Sequence, residues 1–213
     1  MELTDRQKDA LSELINIAFS RTAASLSELT GHRVLLDVPE VAIFPIDELA
    51  EALSAFLPAE VATVHQVFTG PVTGDALLLM NYDGAITLTD LLTDERSASE
   101  RLNTSAREVL TEVGNILLNA CLGMFGNLLQ VHVSFSVPRL HLETLDALLR
   151  SLAIGQEGLR YALVVYTAFR LRDSAVSGYL VIALNVASLD RLIQEAEAWE
   201  ERQGQAVDMR HQS

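Results

Sequence analysis

One polar pattern occurs twice in the chain: Asp9, Glu13, Asn16 and Pro39, then Glu108, Glu112, Asn115 and Pro138. The internal spacings are the same, and Glu13, Asn16 and Pro39 each recur 99 positions later. Positions i and i+3 of a helix share a face, so Glu13 projects with Asn16 and Glu112 with Asn115. Asp9 and Glu108 lie one turn earlier on nearly the same side. An asparagine carboxamide both donates and accepts hydrogen bonds, so it can hold a water in line with an electrophile. A carboxylate one turn away can anchor a cation on a partner, such as a lysine. Such a pair can complete another protein's active site. It is too small a set to hold a hard cation alone, since those collect more oxygen ligands. No Ser-His-Asp or Cys-His nucleophilic set is evident. Taken alone, Glu-x-x-Asn is common on solvated helices; its return with its surroundings points to a duplicated unit with two copies of one site.

The elements that must carry these residues follow from periodicity. Residues 6–30 read as a long helix, with Leu11, Leu14, Ile15, Ala18, Ala23, Leu26 and Leu29 on a helical period, Thr4 as a cap and Gly31 as a stop. Residues 33–38 read as a strand ending at Pro39, 46–55 as a short helix, 61–69 and 73–81 as strands turned at Gly70-Pro71, and 83–92 as a helix. The order then repeats: a helix over 99–123, an alternating strand over 129–137, a short helix over 142–152, strands over 160–171 and 175–184, and a helix from about 188 to 199. Gly74 and Gly178 occupy matching places in the two hairpins. A half with three strands leaves a sheet face and edges open unless the other half covers them. The reading is therefore one α+β domain over residues 1–200, built of repeats at about 6–97 and 98–199. The polar tail 201–213 lacks apolar periodicity and reads as frayed.

Composition narrows the function. The 213 residues are 49% hydrophobic and carry a net charge of −14. That balance disfavours nucleic acid and anionic membrane as ligands and suits a protein partner with a positive patch. No apolar run reads as membrane-spanning and no signal peptide opens the chain, so a cytoplasmic location is expected. The single cysteine, Cys121, lies among Leu118, Leu122 and Met124 and reads as a buried small hydrophobe. The five histidines show no metal-ligand spacing. His132 reads as a surface or cross-strand residue, Trp199 as a packing anchor, and Pro39 and Pro138 as turn-fixing residues.

The paired pattern resembles the CheC/CheX/FliY family of chemotaxis phosphatases, in particular its two-site CheC-type branch. The family motif is Asp or Ser, three residues, Glu, two residues, Asn, twenty-two residues and Pro. Asp9, Glu13, Asn16 and Pro39 match it throughout; Glu112, Asn115 and Pro138 match the second copy, where Glu108 replaces Asp or Ser. Asn16-Ile-Ala and Gly114-Asn-Ile resemble the family's Gly-Asn-Ile-Gly segment, with Ile15, Ala18 and Leu117 departing from its glycines. The likeness covers about residues 8–198.

The resemblance implies an internally duplicated, pseudo-two-fold domain with long motif helices packed on a mainly antiparallel β-sheet. It implies hydrolysis of the aspartyl-phosphate of a CheY-like response regulator in chemotaxis signalling. Asn16 and Asn115 would orient the attacking water, and Glu13 and Glu112 would contact the receiver's lysine. Asp9, Pro39, Glu108 and Pro138 would support the motif. No cofactor or metal would bind this chain; Mg²⁺ would sit in the partner receiver. The receptor deamidase CheD is a further possible partner. The alternatives are a receiver-binding adaptor without catalysis and a structural component of a motility assembly.

Overall fold

The computed structural model describes residues 3–31, 33–93, 102–128, 131–155, 160–171 and 174–211. Helix α1 (Asp5–Thr30) begins where the sequence predicts. The Thr4 hydroxyl accepts from the Gln7 N–H at 3.2 Å, and the Gln7 side chain accepts from the Thr4 N–H at 3.0 Å. This reciprocal capping box satisfies two donors that the first turn leaves open. Gly31 closes the helix in the left-handed region at φ 69°, where a side chain would be strained. Thr4→Ala should therefore cost about 1 kcal/mol, read as a lowered urea midpoint at unchanged slope.

After α1 come β1 (Val34–Leu36), β2 (Glu40–Pro45), α2 (Leu49–Ser54), β3 (Glu60–Thr69), β4 (Gly74–Asn81) and α3 (Tyr82–Thr93). The same order follows as α4 (Thr104–Leu128), β5 (Ser134–Phe135), β6 (Arg139–Thr144), α5 (Leu145–Gly155), β7 (Tyr161–Leu171), β8 (Ser174–Leu184) and α6 (Val186–His211).

Each half thus has four strands where the sequence suggests three. The strand expected over 33–38 keeps only Val34–Leu36, and a second one starts after Pro39. The alternating stretch 129–137 keeps only the exposed pair Ser134–Phe135, and the longer ladder is Arg139–Thr144, beyond Pro138. Proline has no N–H to give a ladder, so each strand is interrupted there and pairs anew on the far side. The expected frayed tail is also corrected: α6 continues through His211. Glu201, Arg202, Gln203, Gln205, Ala206, Met209 and Arg210 all have good helix propensity, which favours helix without any apolar stripe. Near that extension Arg6 of α1 meets Glu200 at 3.4 Å and Glu201 at 2.6 Å.

The eight strands form one sheet in the order β1-β7-β8-β4-β3-β5, with β2 also on β7 and β6 also on β3. All pairings are antiparallel. The strands that follow each motif helix cross over: β1 and β2 pair with the hairpin of the second half, and β5 and β6 with that of the first. The two hairpins meet at β4 and β8, with Leu77 opposite Val181.

Helices α1, α3, α4 and α6 share the larger core, to which β4 contributes Ala76, Leu78 and Met80. Helices α2 and α5 cover the other face, with Leu77 and Leu79 of the same strand. Helix α4 is long and apolar enough to cross a membrane by length and composition, which the sequence reading did not anticipate. Its apolar residues are instead core: Leu110, Val113, Leu117, Leu118, Cys121 and Leu122 are all buried. Trp199 packs against the same core, as expected.

Candidate functional site

Both motif helices lie on one face of the sheet and pack against each other. On α1, buried Leu14, Ile15, Ala18 and Phe19 fix the rotation of the helix. That leaves Asp9 and Glu13 exposed and Asn16 half-buried. On α4, buried Val113, Leu117 and Leu118 leave Glu108 and Glu112 exposed and Asn115 half-buried. The carboxylates reach solvent, and each amide lies between the exposed and the buried faces of its helix.

A glycine sets the seating of the second helix. A Cβ at Gly114 would lie 2.6 Å from the Val64 side chain of β3, so its absence lets α4 approach the sheet beside Asn115. The matching residue on α1, Ile15, is fully buried.

The loop before each motif proline is clamped by the sheet. In the second copy, Ser136 donates its N–H to the Val67 carbonyl at 2.9 Å, and its hydroxyl accepts from the Val67 N–H at 2.9 Å. Gln66 Nε2 donates to the Ser136 carbonyl at 2.9 Å. In the first copy, Asp37 donates its N–H to the Ala168 carbonyl at 3.0 Å, and Thr167 Oγ1 donates to the Asp37 carbonyl at 3.1 Å. One arrangement is therefore built twice, and in each copy the clamp comes from the hairpin of the other half. The next residue, Val38 or Val137, is 75% or 81% exposed. Pro39 is buried and Pro138 half-buried.

The second copy carries more polar structure. Gln66 Nε2 also donates to Asn119 Oδ1 at 3.2 Å, and Asn119 Nδ2 donates to Asn115 Oδ1 at 2.7 Å. Beside it, Thr104, Arg107, Glu108, Thr111, Glu112 and Leu140 line an open depression. In the first copy the position of Asn119 is held by Ser20, whose hydroxyl donates to the Asn16 backbone carbonyl at 2.8 Å.

Sequence reasoning missed Asn119, Gln66, Ser136 and the two valines. Two signals were present: Asn119 lies one turn beyond Asn115 in an apolar run, and the valines also recur after 99 positions. Cys121 is buried as expected, and burial pushes its thiol well above the ordinary range, away from nucleophilic use. His65 and His141 come together across β3 and β6, with ring centroids 5.9 Å apart, and His65 meets Asp75 at 2.6 Å. Val61 of β3 and Leu77 and Leu79 of β4, which alternate with the motif-side residues of those strands, mark that side as the α2 and α5 face. Among the described residues, no three His, Cys, Asp or Glu side chains converge as a metal site.

No family model matches the chain. It is 23% identical over 143 residues to the flagellar motor switch phosphatase FliY of Bacillus subtilis, covering 66% of this chain and 37% of that protein. It is 25% identical over 174 residues to the CheY-P phosphatase CheC of the same organism, covering 78% of this chain and 81% of that one. The chain therefore spans little more than a third of FliY and most of CheC. Among solved structures, Thermotoga maritima FliY matches with a TM-score of 0.74 at 19% identity, over 92% of this chain and 98% of that one. The FliM middle domain from H. pylori matches with a TM-score of 0.64 at 11% identity, over 91% and 99%. The structural likenesses establish the shared fold, and both sequence relatives bear family names. That fold, those relatives and the twice-built motif together support a place for the chain in the CheC/CheX/FliY family.

Proposed function

We propose that the chain is a phosphatase for the aspartyl-phosphate of a CheY-like receiver domain, acting through two sites. The observation that carries this reading is the pair of matching faces, each with an exposed Glu, a half-buried Asn and a sheet-clamped loop. The second face is an open depression and the first presents exposed Asp9 and Glu13, an arrangement suited to another protein's surface.

In this reading Glu13 or Glu112 pairs with the receiver's lysine and sets the docking pose. Asn16 or Asn115 holds a water in line with phosphorus. The water oxygen forms the new P–O bond, the bond to the aspartyl oxygen breaks, and the carboxylate leaves with its electron pair. The proton of the water ends on inorganic phosphate or solvent. A Mg²⁺ ion of the receiver supplies the charge neutralisation such a transfer needs. The net charge of −14 suits a partner with a basic docking surface.

Phosphate release from a CheY-type receiver loaded with acetyl phosphate tests the reading: the chain should accelerate it, and no acceleration would refute it. The exposed valines supply a second expectation. Docking that buries Val38 or Val137 is worth about 1.5 kcal/mol, or roughly tenfold in affinity. The V38D/V137D double variant should therefore raise KM for the loaded receiver while leaving kcat and the thermal midpoint nearly unchanged. An unchanged KM would place the docking surface elsewhere.

A further inference from the structure

The polar chain beside Asn115 has a fixed direction. The Ser136 carbonyl can only accept, so Gln66 turns its Nε2 toward it. That Nε2 can only donate, so Asn119 meets it with Oδ1. The other end of the Asn119 amide, Nδ2, is then left facing Asn115, which must answer with Oδ1. A backbone carbonyl thus dictates, through two amides, which way round the Asn115 carboxamide sits. Its Nδ2 is turned away from the relay, and its Oδ1 keeps a second lone pair. Gln66 is 2% exposed, so water competes poorly for the relay.

Among the described residues, the first copy shows no matching amide relay. Ser20 spends its hydroxyl on the Asn16 backbone carbonyl, and Thr167 donates only to the Asp37 carbonyl. From this contrast we infer that Asn119, backed by Gln66, is a positioning residue that selects one amide orientation of Asn115 for the attacking water. The second site is thereby pre-set, while the first orients its amide by other means. This inference rests on the phosphatase reading above.

Asn119→Asp is the discriminating change. A carboxylate still accepts from Gln66, but it cannot donate to Asn115, which must turn its Nδ2 inward. Asn119→Ser, the residue of the first copy, breaks the relay without adding charge. Both are made in an N16A background, so that only the second site reports, and in an N115A background, so that only the first does. The readout is kcat and KM for phosphate release from a loaded receiver with Mg²⁺ present. In N16A, N119D should lower kcat about tenfold or more with KM within about twofold, and N119S should lower kcat less. In N115A neither change should have a further effect, as a double-mutant cycle requires of a residue acting through Asn115. Equal kcat for N16A, N16A/N119D and N16A/N119S would overturn the inference and leave the phosphatase reading intact. Equal losses in both backgrounds would overturn it in favour of general damage to the fold. An active wild type with an inactive N16A would also overturn it, since the relay would then serve no working site. A wild type that does not accelerate release would overturn both readings.

Discussion

Replacing Asn16 and Asn115 together by alanine should return phosphate release from a loaded receiver to the receiver's own rate. Each amide is half-buried on a rigid helix, and alanine leaves the helix, its core face and the neighbouring glutamate in place. What disappears is the group that holds a water against phosphorus. Loss of such positioning is worth on the order of a hundredfold in rate. Docking rests on the glutamates and the valines, so binding should survive in the double variant. Each single variant should retain part of the activity, because the other copy still works. The check is a time course of phosphate release at saturating chain with Mg²⁺ present, paired with a binding titration on the same samples. Full activity in the double variant would end the water-positioning mechanism. Binding without acceleration by the wild type would leave an adaptor.

Gly74→Ala should be the most damaging small change to the fold. Gly74 lies opposite Leu184 where β4 meets β8. A Cβ there would strike the Ala183 carbonyl oxygen and the ring of buried Phe68. The carbonyl belongs to the sheet backbone and cannot move aside as a flexible side chain can. Overpacking of this kind costs about 3 kcal/mol. Urea unfolding should show a midpoint shift of that size at unchanged slope. Gly123→Ala is the control, since a Cβ there meets nothing within 4 Å. It should stabilise α4 by about 1 kcal/mol through helix propensity. If both changes were neutral, the close packing at the β4–β8 seam would be refuted.

The parts of this molecule that sequence reveals are those governed by near neighbours. The capping box at Thr4 and the stop at Gly31 are local chemistry, and α1 falls within a residue of its expected start. The duplicated Glu-x-x-Asn is likewise contained in one turn of helix. The strands beyond Pro39 and Pro138 were missed because the alternating stretch before Pro138 looks like a better strand than the segment that pairs. Pairing is decided by distant partners: Glu40–Pro45 is recruited by β7, more than a hundred residues away in sequence. The relay was hidden for the same reason, since Gln66 and Asn119 meet only once β3 lies under α4. Even the crossover has no local signature. Either half could pair with itself on periodicity alone, and only the assembled sheet decides otherwise.

The crossover makes the two sites fail together. The loop beside Asn16 is held by Thr167 of the second half, and the loop beside Asn115 by Gln66 of the first. Opening either hairpin removes the clamp on the opposite site, and the β4–β8 seam ties the two hairpins into one sheet, so neither opens alone. In a heated sample, then, surviving capacity should fall in steps of two per molecule, and a population of chains with one intact site and one melted site should not accumulate.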